Sequence, residues 1–183
     1  MAGIERTATG HWQGDLRSGR GRMDAPSGVF HDAPFTFATR FEHAPGTNPE
    51  ELLVCAVSSC FTATLFGVLR RAQLPVDSLS VAAGGTVTGF PGHARFARIV
   101  VSPTILGGDV ERQAEYEEAA DIAHYRCLIG RTLGPDVLYE VGSVRVQEDA
   151  VLPPARAREL APREHRSLSS GDGEERSPAW RAA

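Results

Sequence analysis

Thr47–Arg71, TNPEELLVCAVSSCFTATLFGVLRR, decides how the rest of the chain is arranged. Asn48, the only asparagine in the sequence, is a good N-cap, and Pro49 suits the first helical position, where a missing N–H costs nothing. Glu51 falls three residues after Asn48, as a capping-box partner should, and Glu50 and Glu51 complement the helix dipole. Arg70 and Arg71 suit the far end for the same reason, and Pro75 limits extension. Between these ends the 18 residues Leu52–Leu69 carry no charge. That run is at the lower edge of membrane-spanning length, but it includes serines, threonines, cysteines and a glycine, and no positive-inside pattern accompanies it. A helix apolar all round is otherwise a buried core helix, and that is the expectation here.

The totals narrow the class. With 183 residues, 42% of them hydrophobic and 23% charged, the chain is long enough for one domain with a substantial core. A net charge of −4 argues against a nucleic-acid partner, which leaves a basic footprint. All 19 basic residues are arginine, a pattern that codon composition explains more simply than phosphate or carboxylate recognition. The N-terminal MAGIERTATG lacks the apolar core of a signal peptide. Three cysteines cannot all pair within one chain, so working thiols in a cytoplasmic protein are expected rather than a disulfide scaffold.

Working outward, residues 8–41 read as a β meander. GHWQGD and GRGRMD flank a turn around Leu16–Gly19, and the alternating FTFATRF at Phe35–Phe41 reads as a third strand. His43–Thr47 is the loop feeding the helix. Beyond it, Leu79–Thr88 and Ala94–Ile105 form a hairpin around Gly89–Gly92, with Phe96, Ile99 and Val101 on one face. Asp109 caps a second helix running to about Ala123, charged on one side and offering Tyr116, Ala119, Ile122 and Ala123 for packing. Leu128–Leu133 is a further short helix and Val137–Val146 a final strand. The fold class is therefore α+β, with a domain over 1–148. Residues 149–183 are rich in Pro, Arg and Ser and read as a disordered tail, because they cannot bury enough apolar area to offset ordering entropy.

NPEELL followed by SSC, HWQGD at His11–Asp15, SGV at Ser27–Val29 and FATRFEHAPGTNPEEL at Phe37–Leu52 resemble the OsmC/Ohr family of thiol-dependent peroxidases, closer to the OsmC branch. The resemblance covers about residues 8–147. It implies an OsmC-like fold of sheets packed around a long buried helix, in an intertwined homodimer. It also implies reduction of organic hydroperoxides with no bound cofactor, and an external thiol as reductant, with a lipoyl dithiol suggested.

The resemblance assigns the site residues. On pattern alone a cysteine in an apolar helix is a small core residue, and Cys55, which no motif supports, stays in that class. The family match makes Cys60 the peroxidatic thiol. It needs a lowered pKa, and mid-helix it gains nothing from the dipole, so a cation is expected to supply the shift. Arg40 matches the family's arginine in the T-R-F segment, near the end of the third strand; Arg20, in an earlier glycine-rich loop, is the runner-up. Glu50 matches the glutamate that holds this arginine. Ten helical residues separate Glu50 from Cys60, a rise of roughly 15 Å. If Arg40, Glu50 and Cys60 form one network, an antiparallel helix from a second subunit would close that gap. Cys127 matches the resolving thiol that condenses with a Cys60 sulfenic acid. Leu128 departs from the proline that usually follows. Val57 and Phe61 are expected as apolar walls for the peroxide. A zinc site from His124, Cys127 and Cys60 lacks a fourth ligand and is disfavoured. A non-catalytic binding protein and a thiol redox sensor remain as alternatives.

Overall fold

The computed structural model describes residues 3–148, apart from His43 and Pro91. The tail expected from residue 149 lies outside the described residues. The chain opens with an antiparallel sheet, β1 (Thr9–Gln13), β2 (Arg20–Asp24) and β3 (Ala33–Phe35), in that order. The hairpin turn expected around Leu16–Gly19 is present, held by Asp15, which accepts from the N–H groups of Arg17 and Ser18.

The third strand is shorter than expected. It stops at Phe35, and Phe37–Phe41 forms a short helix, α1. Thr36 is the reason: its hydroxyl accepts from Thr39 N–H, while the Thr39 hydroxyl accepts from Thr36 N–H. This reciprocal cap satisfies two otherwise unpaired donors and outweighs the alternating pattern. Arg40 therefore sits in the last turn of a helix, not at a strand end.

The long helix α2 runs Pro49–Arg71 with Asn48 as N-cap, its side chain accepting from Glu51 N–H at 2.8 Å. The capping box is only half made, because the Glu51 carboxylate turns to the Thr47 hydroxyl instead. After α2 come β4 (Ser78–Thr88) and β5 (Arg95–Leu106), paired antiparallel. Asp109 caps a 3-10 turn, Val110–Arg112, which leads into α3 (Gln113–Arg126) and α4 (Leu128–Thr132). The single last strand expected over Val137–Val146 is two pieces, β6 (Leu138–Val141) and β7 (Arg145–Gln147), each parallel to β5. Pairing lapses after Gly142, which still donates to the Val101 carbonyl at 2.8 Å and whose Cα presses so close to Ser102 that a Cβ would lie 2.5 Å from its hydroxyl.

The core lies between the second sheet and the helices. Ile99, Val101 and Ile105 of β5 face Val57, Phe61, Leu65, Val68 and Leu69 of α2 and Tyr116, Ala119, Ala120 and Ala123 of α3. Gly85 lets α2 approach β4, since a Cβ there would lie 2.8 Å from Val54 and from Phe96. The Ser58 hydroxyl fixes that approach by donating to the Val81 carbonyl at 3.0 Å.

The expectation of a fully buried α2 is corrected. Only one side of the helix enters this core; Cys55, Ser59, Ala63 and Phe66 are exposed, so Cys55 is not a core residue. An apolar helix with one packed side keeps an apolar stripe open. The first sheet is likewise uncovered: all five residues of β1 are exposed, and the helices make their substantial contacts with one another and with the second sheet.

Candidate active site

The local fold brings Cys60 and Cys127 together. Cys60 lies mid-way along α2, half-buried against the core. Cys127 is fully buried at the junction where α3 ends and α4 begins. Its N–H closes α3 on the Ala123 carbonyl at 2.8 Å, and its sulfur caps α4 by accepting from Gly130 N–H at 3.4 Å. Both thiols are free.

Their proton affinities diverge. Burial alone would push the Cys60 thiol up, but four neighbours together outweigh it: the N–H of Ile129, the Cys127 thiol, the N–H of Leu128 and the Thr64 hydroxyl. The net result lies below the ordinary thiol value. Cys127 moves the other way, raised first by its burial and further by the neighbouring Cys60 sulfur, with Gly130 N–H opposing. Of the two thiols, Cys60 is therefore the more readily ionised and Cys127 the less.

Among the described residues of the single chain, no cation is one of the groups that set this shift. Backbone N–H groups at the start of α4 supply it. Leu128 matters here because it has the N–H that a proline would lack. Nothing in residue type or spacing marks such a donor, since it belongs to the backbone and depends on where α4 begins.

Arg40 and Glu50 also meet, but elsewhere. Arg40 Nε donates to Glu50 Oε1 at 2.8 Å, a second guanidinium nitrogen shares the same oxygen, and Arg40 lies over the Phe41 ring. This pair forms within one chain at the first turn of α2, about three turns before Cys60, so the structure does not join it to the thiols within a protomer. Glu50 Oε2 is buried with no hydrogen-bond partner. Arg20 is exposed at the start of β2, beside a cavity of about 380 Å³ that it shares with Arg22, Asp32 and Thr36.

One further expectation changes. Val57 and Phe61 are completely buried in the core and do not form walls beside Cys60. The exposed apolar side chain at the thiols is Leu128, at 67% exposure. His124 turns away from the sulfurs: its Nε2 lies 2.9 Å from the Tyr139 carbonyl and its ring stacks on Tyr139. Among the described residues, no three His, Cys, Asp or Glu side chains are placed to hold a metal ion. Tyr139 itself escaped the sequence reading. Its ring packs on Gly130, and its hydroxyl is buried beside Cys127. Inward alternation along Leu138–Val141 was the only available signal.

The chain is a mixed α+β protein with two sheets and a long helix that brings Cys60 to the α3–α4 junction holding Cys127. The OsmC-like protein model matches residues 42–141, more than half of the chain, and the chain belongs to that family. It is 39% identical over 80 residues to the Peroxiredoxin OsmC of Escherichia coli, a match over 44% of this chain and 56% of that protein. It is 28% identical over 82 residues to the uncharacterized protein YmaD of Bacillus subtilis, over 45% of this chain and 52% of that protein. The chain thus spans little more than half the length of the curated relatives it matches. Among solved structures, an organic hydroperoxide resistance protein OsmC from Legionella pneumophila superposes with a TM-score of 0.63 at 19% identity, covering 80% of this chain and all of that one. The organic hydroperoxide resistance protein OhrB of Bacillus subtilis gives 0.54 at 20% identity, covering 76% and 98%. The sheets, long helix and α+β class expected from the sequence agree with these folds.

Proposed function

We propose that the protein is a cysteine-based peroxidase that reduces organic hydroperoxides to alcohols. The pairing of a thiol lowered by backbone N–H groups with a raised thiol beside it carries this reading. The names of the relatives, peroxiredoxin and organic hydroperoxide resistance protein, support it. The Cys60 thiolate attacks the outer peroxide oxygen. The O–O bond breaks, the alkoxide takes a proton and leaves as alcohol, and Cys60 becomes a sulfenic acid. The Cys127 sulfur then attacks the Cys60 sulfur, the S–OH bond breaks, water leaves, and a Cys60–Cys127 disulfide remains. An external dithiol, of the lipoyl type, restores both thiols and is itself oxidised to a disulfide; a cytoplasmic setting supplies such a reductant.

Arg40 and Glu50 take part across a two-fold homodimer in this reading. The apolar stripe left open on α2, the uncovered first sheet and the unpartnered Glu50 Oε2 all favour a second copy packed there. Two α2 helices laid antiparallel would set the Arg40–Glu50 pair of one subunit against Cys60 of the other. The guanidinium then stabilises the departing alkoxide.

The test is intact mass and free-thiol count of reduced protein after stoichiometric cumene hydroperoxide. Rapid peroxide loss with disappearance of two thiols and two hydrogens, and an inert Cys60→Ser variant, is the expected result. Oxygen addition without a disulfide would remove Cys127 from the mechanism. Absence of any rapid reaction would overturn the enzyme reading and leave a binding protein.

A further inference from the structure

We infer that Tyr139 is a positioning residue for the second half of this reaction, its hydroxyl donating a hydrogen bond to the Cys127 sulfur as that sulfur becomes anionic. The inference rests on the two-cysteine reading above and adds a residue to it.

Tyr139 is held where it can do this and little else. A Cβ on Gly130 would lie 2.2 Å from the edge of its ring, so only glycine lets the ring settle there. The opposite constraint comes from α3: the His124 ring stacks at 4.4 Å between centroids, and His124 Nε2 meets the Tyr139 carbonyl at 2.9 Å. The phenol is thereby fixed with its oxygen buried and without a hydrogen-bond partner in the reduced, protonated state. A buried orphan donor is costly and calls for a reason. The same Gly130 that the ring packs on donates its N–H to the Cys127 sulfur at 3.4 Å, which sets that sulfur beside the phenol.

Cys127 needs a donor at two moments. It must give up its proton when its sulfur attacks the Cys60 sulfenic acid, where S–S forms, S–OH breaks and water leaves. It must also leave as a thiolate when an external thiolate attacks the Cys60 sulfur and the S–S bond breaks. At both moments the buried sulfur carries charge with only Gly130 N–H to accept from, at a long 3.4 Å. The Tyr139 hydroxyl is the second donor. Burial holds the phenol far above its ordinary pKa, so it stays protonated at any working pH. Its neighbour lowers Cys127, against the rise that burial imposes. The other titratable groups around the pair are Cys60 from α2, His124 and Tyr125 from α3, Arg131 of α4 and Asp136 beyond it; the last four line a cavity of about 480 Å³ with Tyr139.

Tyr139→Phe keeps the ring and removes the donor. In rapid-mixing experiments on the full chain with cumene hydroperoxide, the first step, peroxide consumption by Cys60, should stay within about twofold of wild type. Disulfide closure should slow roughly tenfold, with its pH midpoint moved upward. A purely structural role would not separate the two steps or move that midpoint. In a Cys55→Ser, Cys60→Ser background, the pH dependence of the Cys127 thiolate's ultraviolet absorbance gives the same reading without catalysis, and the phenylalanine variant should need higher pH. A closure rate and a Cys127 titration that match wild type in Tyr139→Phe overturn the role of Tyr139 alone. A wild-type protein that stops at the sulfenic acid overturns the two-cysteine reading, and this inference with it.

Discussion

The body from α2 onward and the sheet β1–β3 solve the problem of burial differently. Every buried hydrophobic residue among the described residues lies between Val57 and Cys127. The first sheet adds none. Its Trp12 finds Phe35 at 5.7 Å between ring centroids but remains 39% exposed. One region closes over its own core, and the other offers apolar surface that a single chain leaves uncovered. The chemistry divides along the same line. Cys60 and Cys127 are fixed by packed elements of the body, whereas Arg40 and Glu50 stand where α1 meets the first turn of α2, next to the open part.

The sharpest way to break that comparison is to put the two halves of the site on different chains. Cys60→Ser should drop hydroperoxide turnover to the uncatalysed rate, and Arg40→Ala should cost about 10²–10³-fold, as for loss of a charge-stabilising donor. Co-refolding the two inactive variants should restore about a quarter of wild-type activity. Half of the dimers are then mixed, and each mixed dimer has one intact site of its two. No recovery would mean that Arg40 and Cys60 serve within a single chain, and that the open surface is not where the site is completed.

The next test sets the closed region against the open face. Phe61→Ala empties a completely buried position and should lower unfolding free energy by about 3–5 kcal/mol, read from denaturant melts. Phe66→Glu, on the open side of α2 at 42% exposure, should leave that core intact and instead halve the solution mass measured by light scattering. A Phe66→Glu protein that keeps the wild-type mass would show that the α2 stripe is not covered by a second copy.

What was legible in the sequence follows the same division. The bounds of α2 could be read because Asn48, Pro49, Arg70 and Arg71 act locally, through caps and charge. The β4–β5 hairpin was legible from alternating Phe96, Ile99 and Val101. The strand expected at Phe35–Phe41 failed because a Thr36–Thr39 cap, which costs nothing in apolar pattern, turned the chain into a helix. The burial of α2 was over-read because uniform apolarity says that a helix is covered without saying that its own chain covers it. Cys60, Cys127, Arg40 and Glu50 came from the resemblance. The structure pairs them two by two, Cys60 with Cys127 and Arg40 with Glu50. The donors that lower Cys60 were invisible, because every residue but proline carries an N–H and only the placement of α4 selects Leu128 and Ile129.

That last point yields the smallest and cleanest perturbation. Leu128 is the first residue of α4, a position where proline is well tolerated. The residue before it, Cys127, already has an extended backbone at φ −61° and ψ 113°, which is the conformation a following proline demands. Leu128→Pro should therefore fold normally and remove one N–H from beside the Cys60 sulfur, leaving that of Ile129. With less opposing its burial, the Cys60 thiol moves up toward its ordinary value, and the thiolate fraction at neutral pH falls. The peroxide reaction should slow by roughly threefold to tenfold near pH 7, with its rise shifted to higher pH. Well above both pKa values the two proteins should react at the same rate, because both thiols are then ionised. Leu128→Ala, which trims the exposed side chain but keeps the N–H, should retain the wild-type pH curve. If Leu128→Pro keeps it as well, this N–H does not hold the thiolate, and activation of Cys60 within the closed region passes to Ile129, Cys127 and Thr64.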